Sequence, residues 1–409
     1  VKRVFAMALG VLTAIGGFVD IGDLVANALV GARFGLSLVW VVGVGVVGIC
    51  LFAEMSGRIA AVSQRGTFDL VRERLGERMA FANLIASVAV TLLTFIAEIG
   101  GVALALSLVT SVNTFLWIPL VGFAVWLILW RVRFSAIEDV FALMGLSLIV
   151  FAVAVWQLNP DWGHLFSQLA PTSKPASESV ATYLYYGVAL LGAAMTPYEV
   201  FFFSSGGVEE HWGPKDLTTA RLNVFVGFPL GGILSVAIAA STALVFLPNG
   251  VEVGTLGQVA LPVAVSVGKI GLAFVLLGFF AATFGAACET GLSVGYSISQ
   301  YFGWQWGKYV RPHEAARFHV VVGLSTIVAI GVLLTTVDPI KVTEYSIVFS
   351  AVALPLTYFP ILVVANDADY MGDKVNGRFS NFLGSIYLGI ILVVAVAAIP
   401  LMIITKAGA

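Results

Sequence analysis

Charge is what this sequence has least of. Only 11% of its 409 residues are Asp, Glu, Lys or Arg, against 59% hydrophobic. A water-soluble domain carries roughly a quarter charged residues. So thin a polar shell could not cover so much apolar surface in water, and the mean hydropathy of +1.00 agrees. Lipid is the solvent. A nucleic-acid partner is not expected: the net charge of −2 says nothing about one, and no basic tail suggests it. Cysteine is scarce too. Cys50 and Cys288 lie in apolar stretches without metal or disulfide spacing, and read as small packing residues. His211, His313 and His319 fall in loops or at helix ends with no metal-ligand spacing. No Ser/His pair, His/Glu metal motif or cofactor loop is present, so an enzyme is not expected. Lys2-Arg3 before an apolar run mimics a signal peptide, but the run is too long and is interrupted by acids.

What is abundant is membrane-length apolar sequence. A span needs about 20 apolar residues, and that scale gives eleven segments: 4–31, 36–62, 79–108, 113–131, 137–157, 181–205, 220–248, 269–301, 317–336, 343–365 and 381–405. The chain divides into a five-span set (1–157), an ordered external loop (158–180), a second five-span set (181–365), and an inner loop with the last span (366–409). Residues 66–76 are amphipathic and predict a short interfacial helix. Of the 21 Lys and Arg, all but Arg33, Lys174, Lys269, Lys341 and Lys406 fall on one side. Such a bias marks the cytoplasmic face and alternates correctly only for an odd span count, with the N-terminus inside and the C-terminus outside.

Ionisable groups at membrane depth are costly unless paired, hydrated or bound to something. In the first span, Gly16-Gly17-Phe18-Val19-Asp20-Ile21-Gly22-Asp23 places two acids and three glycines mid-segment. On an intact helix the two carboxylates share a face and repel. Local unwinding around Gly22 would instead free carbonyls and aim both acids into one cavity; a packed helix with one protonated acid is the alternative. In the sixth span, Thr196-Pro197-Tyr198-Glu199 puts a proline and an acid mid-membrane, where Pro removes a helix hydrogen bond. Each interruption lies in the first helix of its five-span set. Transporters built from inverted repeats show this pattern and bind substrate where the broken helices meet. Oxygen ligands with net negative charge point to a hard cation.

These residues carry a family resemblance. Asp20-Ile21-Gly22-Asp23-Leu24 followed by Gly31-Ala32-Arg33-Phe34-Gly35 resembles the Nramp divalent-metal transporters, whose first helix reads DPGN and then GAQFG. Ala53–Arg58, Gly66–Leu70, Ala97-Glu98, Leu354-Pro355…Pro360 and Asn366…Met371-Gly372 follow the family's order along essentially the whole chain. The resemblance implies an all-α polytopic membrane protein of LeuT-type 5+5 inverted-repeat fold, with helices 1 and 6 broken. It also implies alternating access for a divalent cation, the cell membrane as location, the lipid bilayer as surroundings, a monomer, and no resident cofactor, the Mg²⁺ or Mn²⁺ being cargo.

The departures are similar to those of the Nramp-related magnesium transporter branch. The family's Asn is Asp23 and its Pro is Ile21. Its sixth-helix AxxMPH keeps Ala193, but the Met position is Thr196 and the His position is Tyr198. Replacing a soft thioether by a hydroxyl, and adding a carboxylate, moves the site toward hard ions such as Mg²⁺. Asp20 is then the central ligand. Asp23, Thr196 and the Ala193 carbonyl are direct or water-mediated ligands, with Glu199 and Tyr198 in the outer shell. Met195, one position early, would restore a sulfur after a register shift. The family's proton-coupling Asp and His correspond to Phe95 and Tyr198, which do not titrate near neutrality. Either coupling is lost, or Glu98, Glu54 or Glu199 carries the proton in a Mn²⁺/Fe²⁺ importer. Glu54 is expected to pair with Arg58 one turn on. Glu289 either lines the pathway or bonds a neighbouring helix. Asp367 and Asp369 read as a solvated loop, and Ile347 stands where the family has a polar tenth-helix residue.

Overall fold

The computed structural model describes residues 15, 18–132, 140–141, 143–170, 175 and 178–408, and the described residues are helical without a strand. In chain order the helices are α1 (Ile21–Phe34), α2 (Val39–Ser63), α3 (Thr67–Leu75), α4 (Glu77–Thr110), α5 (Thr114–Arg131), α6 (Val150–Gln157) and α7 (Trp162–Ser167). Then come α8 (Val180–Ala194), α9 (Pro197–Glu209), α10 (Leu217–Leu222), α11 (Phe228–Val245), α12 (Leu256–Phe302), α13 (Ala316–Leu334), α14 (Pro339–Ala365), α15 (Ala368–Met371) and α16 (Arg378–Ile404).

Among the described residues nine helices, with α8 and α9 taken together, are long and apolar enough to cross a membrane. Two of the eleven expected spans are not in that set. The first is described mainly by its second half, α1, and its residues 4–14 lie outside the described part. The fifth is the shorter apolar helix Leu143–Gln157, and its expected start at 137–139 also lies outside. Other spans show apolar exposed sides, as with Leu116, Leu120 and Phe123 of α5 and Leu392, Val393 and Val396 of α16. The broken spans are different: most of Val180–Glu209 is enclosed by other helices.

Three local features differ from the sequence expectation. The connection before residue 269 is not plain loop, because Leu256–Val267 is already helical behind a Thr255–Gln258 capping box. Gly268, at φ +76°, then turns the chain into the expected span. The interfacial helix forms as α3, but Phe68 and Leu70 are buried against the bundle, with Phe68 packed on Phe201. Asp367 is no solvated loop residue. Its carboxylate pairs with Arg74 and caps the Asp369 amide at the start of α15.

The second half of α2 carries an ionic network. Arg58 pairs with Glu54 at 3.1 Å, as its spacing predicts, and Arg221 of α10 reaches the same carboxylate at 2.9 Å. The Arg58 guanidinium also donates to the Lys374 carbonyl and to Asn376, so one buried side chain ties α2 to the loop ahead of α16.

Candidate functional site

The first break falls just before α1. Asp20 is extended, at φ −103° and ψ −175°, and is the N-cap of α1, its Oδ1 accepting from the Asp23 amide at 2.9 Å. The Ile21 amide would otherwise be orphaned at the helix start, and it donates to Glu98 Oε1 of α4 at 3.0 Å. The break is thus held from two sides by carboxylates, on the end of a half-helix that favours negative charge. Gly22 is not in the unwound stretch, as the sequence suggested, but in the first helical turn. A Cβ there would sit 2.9 Å from Asp20 Oδ1 and 3.0 Å from Ile347 Cγ2 of α14, so the glycine serves close approach.

The second break is the join of α8 and α9. Met195 leaves the helix at φ −127° and ψ 48°, and Thr196 is extended ahead of Pro197 at the first helical position. Proline has no amide hydrogen, so the Ala193 carbonyl has no donor four residues on. Ile347 meets this half-helix as well: a Cβ on Gly192 would lie 2.0 Å from the Ile347 carbonyl. Ile347 therefore packs where α14 approaches both breaks, and the tenth-helix polar ligand of the family pattern is replaced by an apolar contact.

Across the gap the two breaks are bonded. The Tyr198 hydroxyl donates to Asp20 Oδ2 at 3.1 Å, joining residues 178 apart in sequence. Tyr198 thus touches the central acid itself, closer than the outer-shell place expected for it. The Thr196 hydroxyl reaches Glu199 Oε2 at 3.5 Å. Met195 turns away: its sulfur would lie 2.6 Å from a Cβ on Gly48 of α2, and its carbonyl accepts from Tyr358. The thioether is packing against the second span.

Asp20, Asp23, Thr196, Tyr198 and Glu199 are all buried, as is Ala193. Four buried oxygens around the breaks have no hydrogen-bond partner: Asp23 Oδ2, Asn27 Oδ1, Glu98 Oε2 and Glu199 Oε1. Glu98, Glu199 and Glu289 all lie within electrostatic range of Asp20. None of these acids takes part in an ion pair among the described residues. Burying so much uncompensated negative charge is costly unless a cation or protons neutralise it. The described residues nevertheless contain no cluster of three Asp, Glu, His or Cys side chains close enough to hold a metal by themselves. Any cation here must draw on carbonyls, hydroxyls and water as well. Sequence reasoning had not placed Glu98, Asn27 or Ser235 in the ligand set. Asn27 was readable, one turn beyond Asp23 on a polar face; Ser235, on α11, carried no signal.

A family model described as natural resistance-associated macrophage protein-like matches residues 10–400. The chain is a member of the Nramp family. Nramp relatives include the divalent metal cation transporter MntH of Pectobacterium carotovorum, 23% identical over 402 residues that cover 96% of this chain and 92% of that one. The Klebsiella pneumoniae protein of the same name is 24% identical over 392 residues, covering 92% and 89%. Among solved structures, a manganese transporter of Eremococcus coleocola superposes with a TM-score of 0.74 at 18% identity, over 96% of this chain and 85% of that one. The nucleobase-cation-symport transporter Mhp1 follows the same path, with a TM-score of 0.62 at 14% identity over 97% and 92%. The fold is the LeuT-type arrangement expected from the two interrupted spans.

Proposed function

We propose that this Nramp-family protein moves divalent cations across the cell membrane by alternating access, with the paired breaks as the substrate site. The observation that carries the reading is the set of four buried, partnerless oxygens on Asp23, Asn27, Glu98 and Glu199, whose acids form no ion pair among the described residues. The names of the MntH and manganese-transporter relatives support the cargo class. In this reading Asp20 is the central ligand, steered by Tyr198. The Ala193 carbonyl, Thr196 and Asp23 bind directly or through water, and Glu199 contributes charge from the start of α9.

Oxygen donors around the breaks, with the Met195 sulfur packed on α2, favour a hard ion. The cargo is therefore Mg²⁺, with Mn²⁺ also passing. A divalent cation entering a negative cell gains about 2.3 kcal/mol per charge per 100 mV, which drives an abundant ion without protons. In this reading the N-terminus is cytoplasmic and the C-terminus outside, a direction that the positive-inside bias supports, and the transporter works as a monomer.

A second reading, a proton-coupled Mn²⁺/Fe²⁺ transporter, is favoured by the relatives' names and by Glu98, whose free Oε2 stands ready to take a proton. Proteoliposome uptake over a panel of divalent ions, with an internal pH dye, separates the two. The first reading expects Mg²⁺ and Mn²⁺ entry with a flat pH trace. Strong Cd²⁺ competition with acidification that tracks Mn²⁺ would establish the second.

A further inference from the structure

Between α5 and α13 lies an apolar groove of about 650 Å³. Leu129, Leu292, Phe318 and Val322 form its buried floor, while Trp130 of α5 and Ile327 of α13 stand exposed at its lips. At the Ile330 end the two helices close, since a Cβ on Gly122 of α5 would lie 2.5 Å from Ile330 Cδ1. Ala316 lines the other end. From there to Ile330 a helix rises about 21 Å. That is more than one leaflet's share of a hydrocarbon core roughly 30 Å thick, but less than the whole. The groove therefore fits a molecule that enters from one side of the membrane and stops short of the other.

The Ala316 end is where positive charge gathers. The Arg131 guanidinium lies over the Trp130 ring, 4.5 Å from its centre, and Arg317 lies over the Trp304 ring at 5.1 Å. Arg317 falls between the lining residues Ala316 and Phe318, and Arg311 directly precedes Pro312, which also lines the groove. Lys308 donates to the Ile128 carbonyl at 3.4 Å, which holds the segment between α12 and α13 against the end of α5. Arg131, Arg311 and Arg317 are exposed, and none has a carboxylate partner among the described residues. Glu314, the acid of that segment, lies 3.7 Å from His313 instead. A guanidinium stacked on an indole keeps its N–H edge available, and that edge matches a phosphate. Just inside, His319 lines the groove with its Nε2 buried and without a hydrogen-bond partner.

We propose that this groove holds one anionic phospholipid, with its phosphate on the arginines and an acyl chain laid between α5 and α13. The apolar lining accepts any chain, and the arginines select the headgroup. Basic pockets between spans bind anionic head groups by this chemistry. His319 stands about 3 Å deeper along the helix than Arg317, at the level of the glycerol and ester oxygens, and its free nitrogen bonds one of them. The closed end at Ile330 disfavours a second copy's spanning helix, which would have to run the full depth of the core. The site does not depend on which cation the protein carries.

The test uses the full chain in phosphatidylcholine vesicles. Phosphatidylglycerol or phosphatidylcholine brominated on its acyl chains is added, and the bromines quench nearby indoles. Brominated phosphatidylglycerol should half-quench at a lower mole fraction than brominated phosphatidylcholine. Trp126→Phe/Trp130→Phe should remove most of that difference, which places the lipid in the groove. Arg131→Gln/Arg317→Gln should lower the preference by roughly fivefold per arginine, the scale of one basic residue on an anionic lipid. Lys215→Gln/Lys374→Gln removes as much charge from exposed positions elsewhere and should leave the preference intact. Equal quenching by the two lipids in wild type, as a neutral chain or a second copy's helix in the groove would give, overturns the proposal. So does a preference that the arginine variant keeps, or one that both double variants lower equally, which is general attraction to an anionic surface.

Discussion

In the second half of α2 the buried Arg58 has its opposite in Glu54, while among the described residues the acids at the breaks in the first and sixth spans have none. Arg58 meets Glu54, Arg221 shares that acid, and Asn376 with the Lys374 carbonyl completes the shell. Around Asp20 the acids repel one another, and among the described residues their donors are amides, hydroxyls and a carboxamide. The first includes the buried Arg58 with the half-buried Glu54, and the second holds acids that are buried outright. The first is complete within the chain and so reads as structure. The second is complete only when something positive arrives, and so reads as a site.

The contrast predicts opposite responses to charge removal. Arg58→Ala should cost the most, about 2 kcal/mol of stability, because it leaves Glu54 with the exposed Arg221 alone and releases the Lys374 carbonyl and Asn376 from the loop before α16. A thermal unfolding curve in detergent would register it, and an unchanged midpoint would mean the network is ornamental. Asp20→Asn should do the reverse in metal-free buffer. It keeps the N-cap to the Asp23 amide but removes an uncompensated charge, so the midpoint should rise by a few degrees. A fall comparable to that of Arg58→Ala would show that Asp20 is already neutralised within the fold.

The smallest effect concerns α3, outside the spans, where burial pushes the Asp69 carboxyl up to about 6 although Arg65 and Arg72 pull it back. The folded state then keeps this proton to higher pH than the unfolded chain, whose ordinary value is 3.8. Stability from this group declines as pH rises between those two values. Asp69→Asn should flatten that portion of the pH–stability curve, and a curve identical to wild type would place Asp69 in water.

Much of this was legible in the sequence because lipid imposes strict rules. Span length, charge scarcity and the Pro197 break follow from the cost of unpaired polar groups in hydrocarbon. The Glu54–Arg58 pair follows from helical spacing. What could not be read were contacts between distant segments. Nothing local says that Glu98 caps the Ile21 amide, that Tyr198 touches Asp20, or that Ser235 faces Asp23, because each depends on how helices far apart in sequence pack. Asp367 was misread for the same reason, its partner Arg74 lying on another element. Gly22 was misread because a glycine suited to unwinding is equally suited to letting α14 come close. Met195 was ambiguous until the packing against Gly48 settled where its sulfur goes.

The central claim is that the unpaired acids at the breaks form the path of a divalent cation, with Asp20 at its centre. Mn²⁺ uptake into proteoliposomes by wild type and by Asp20→Ala, with Glu73→Ala on the exposed face of α3 as a control, tests it most directly. Uptake should be robust in wild type and in the control, and should fall to the protein-free background in Asp20→Ala. Uptake by Asp20→Ala at the wild-type rate would contradict the claim.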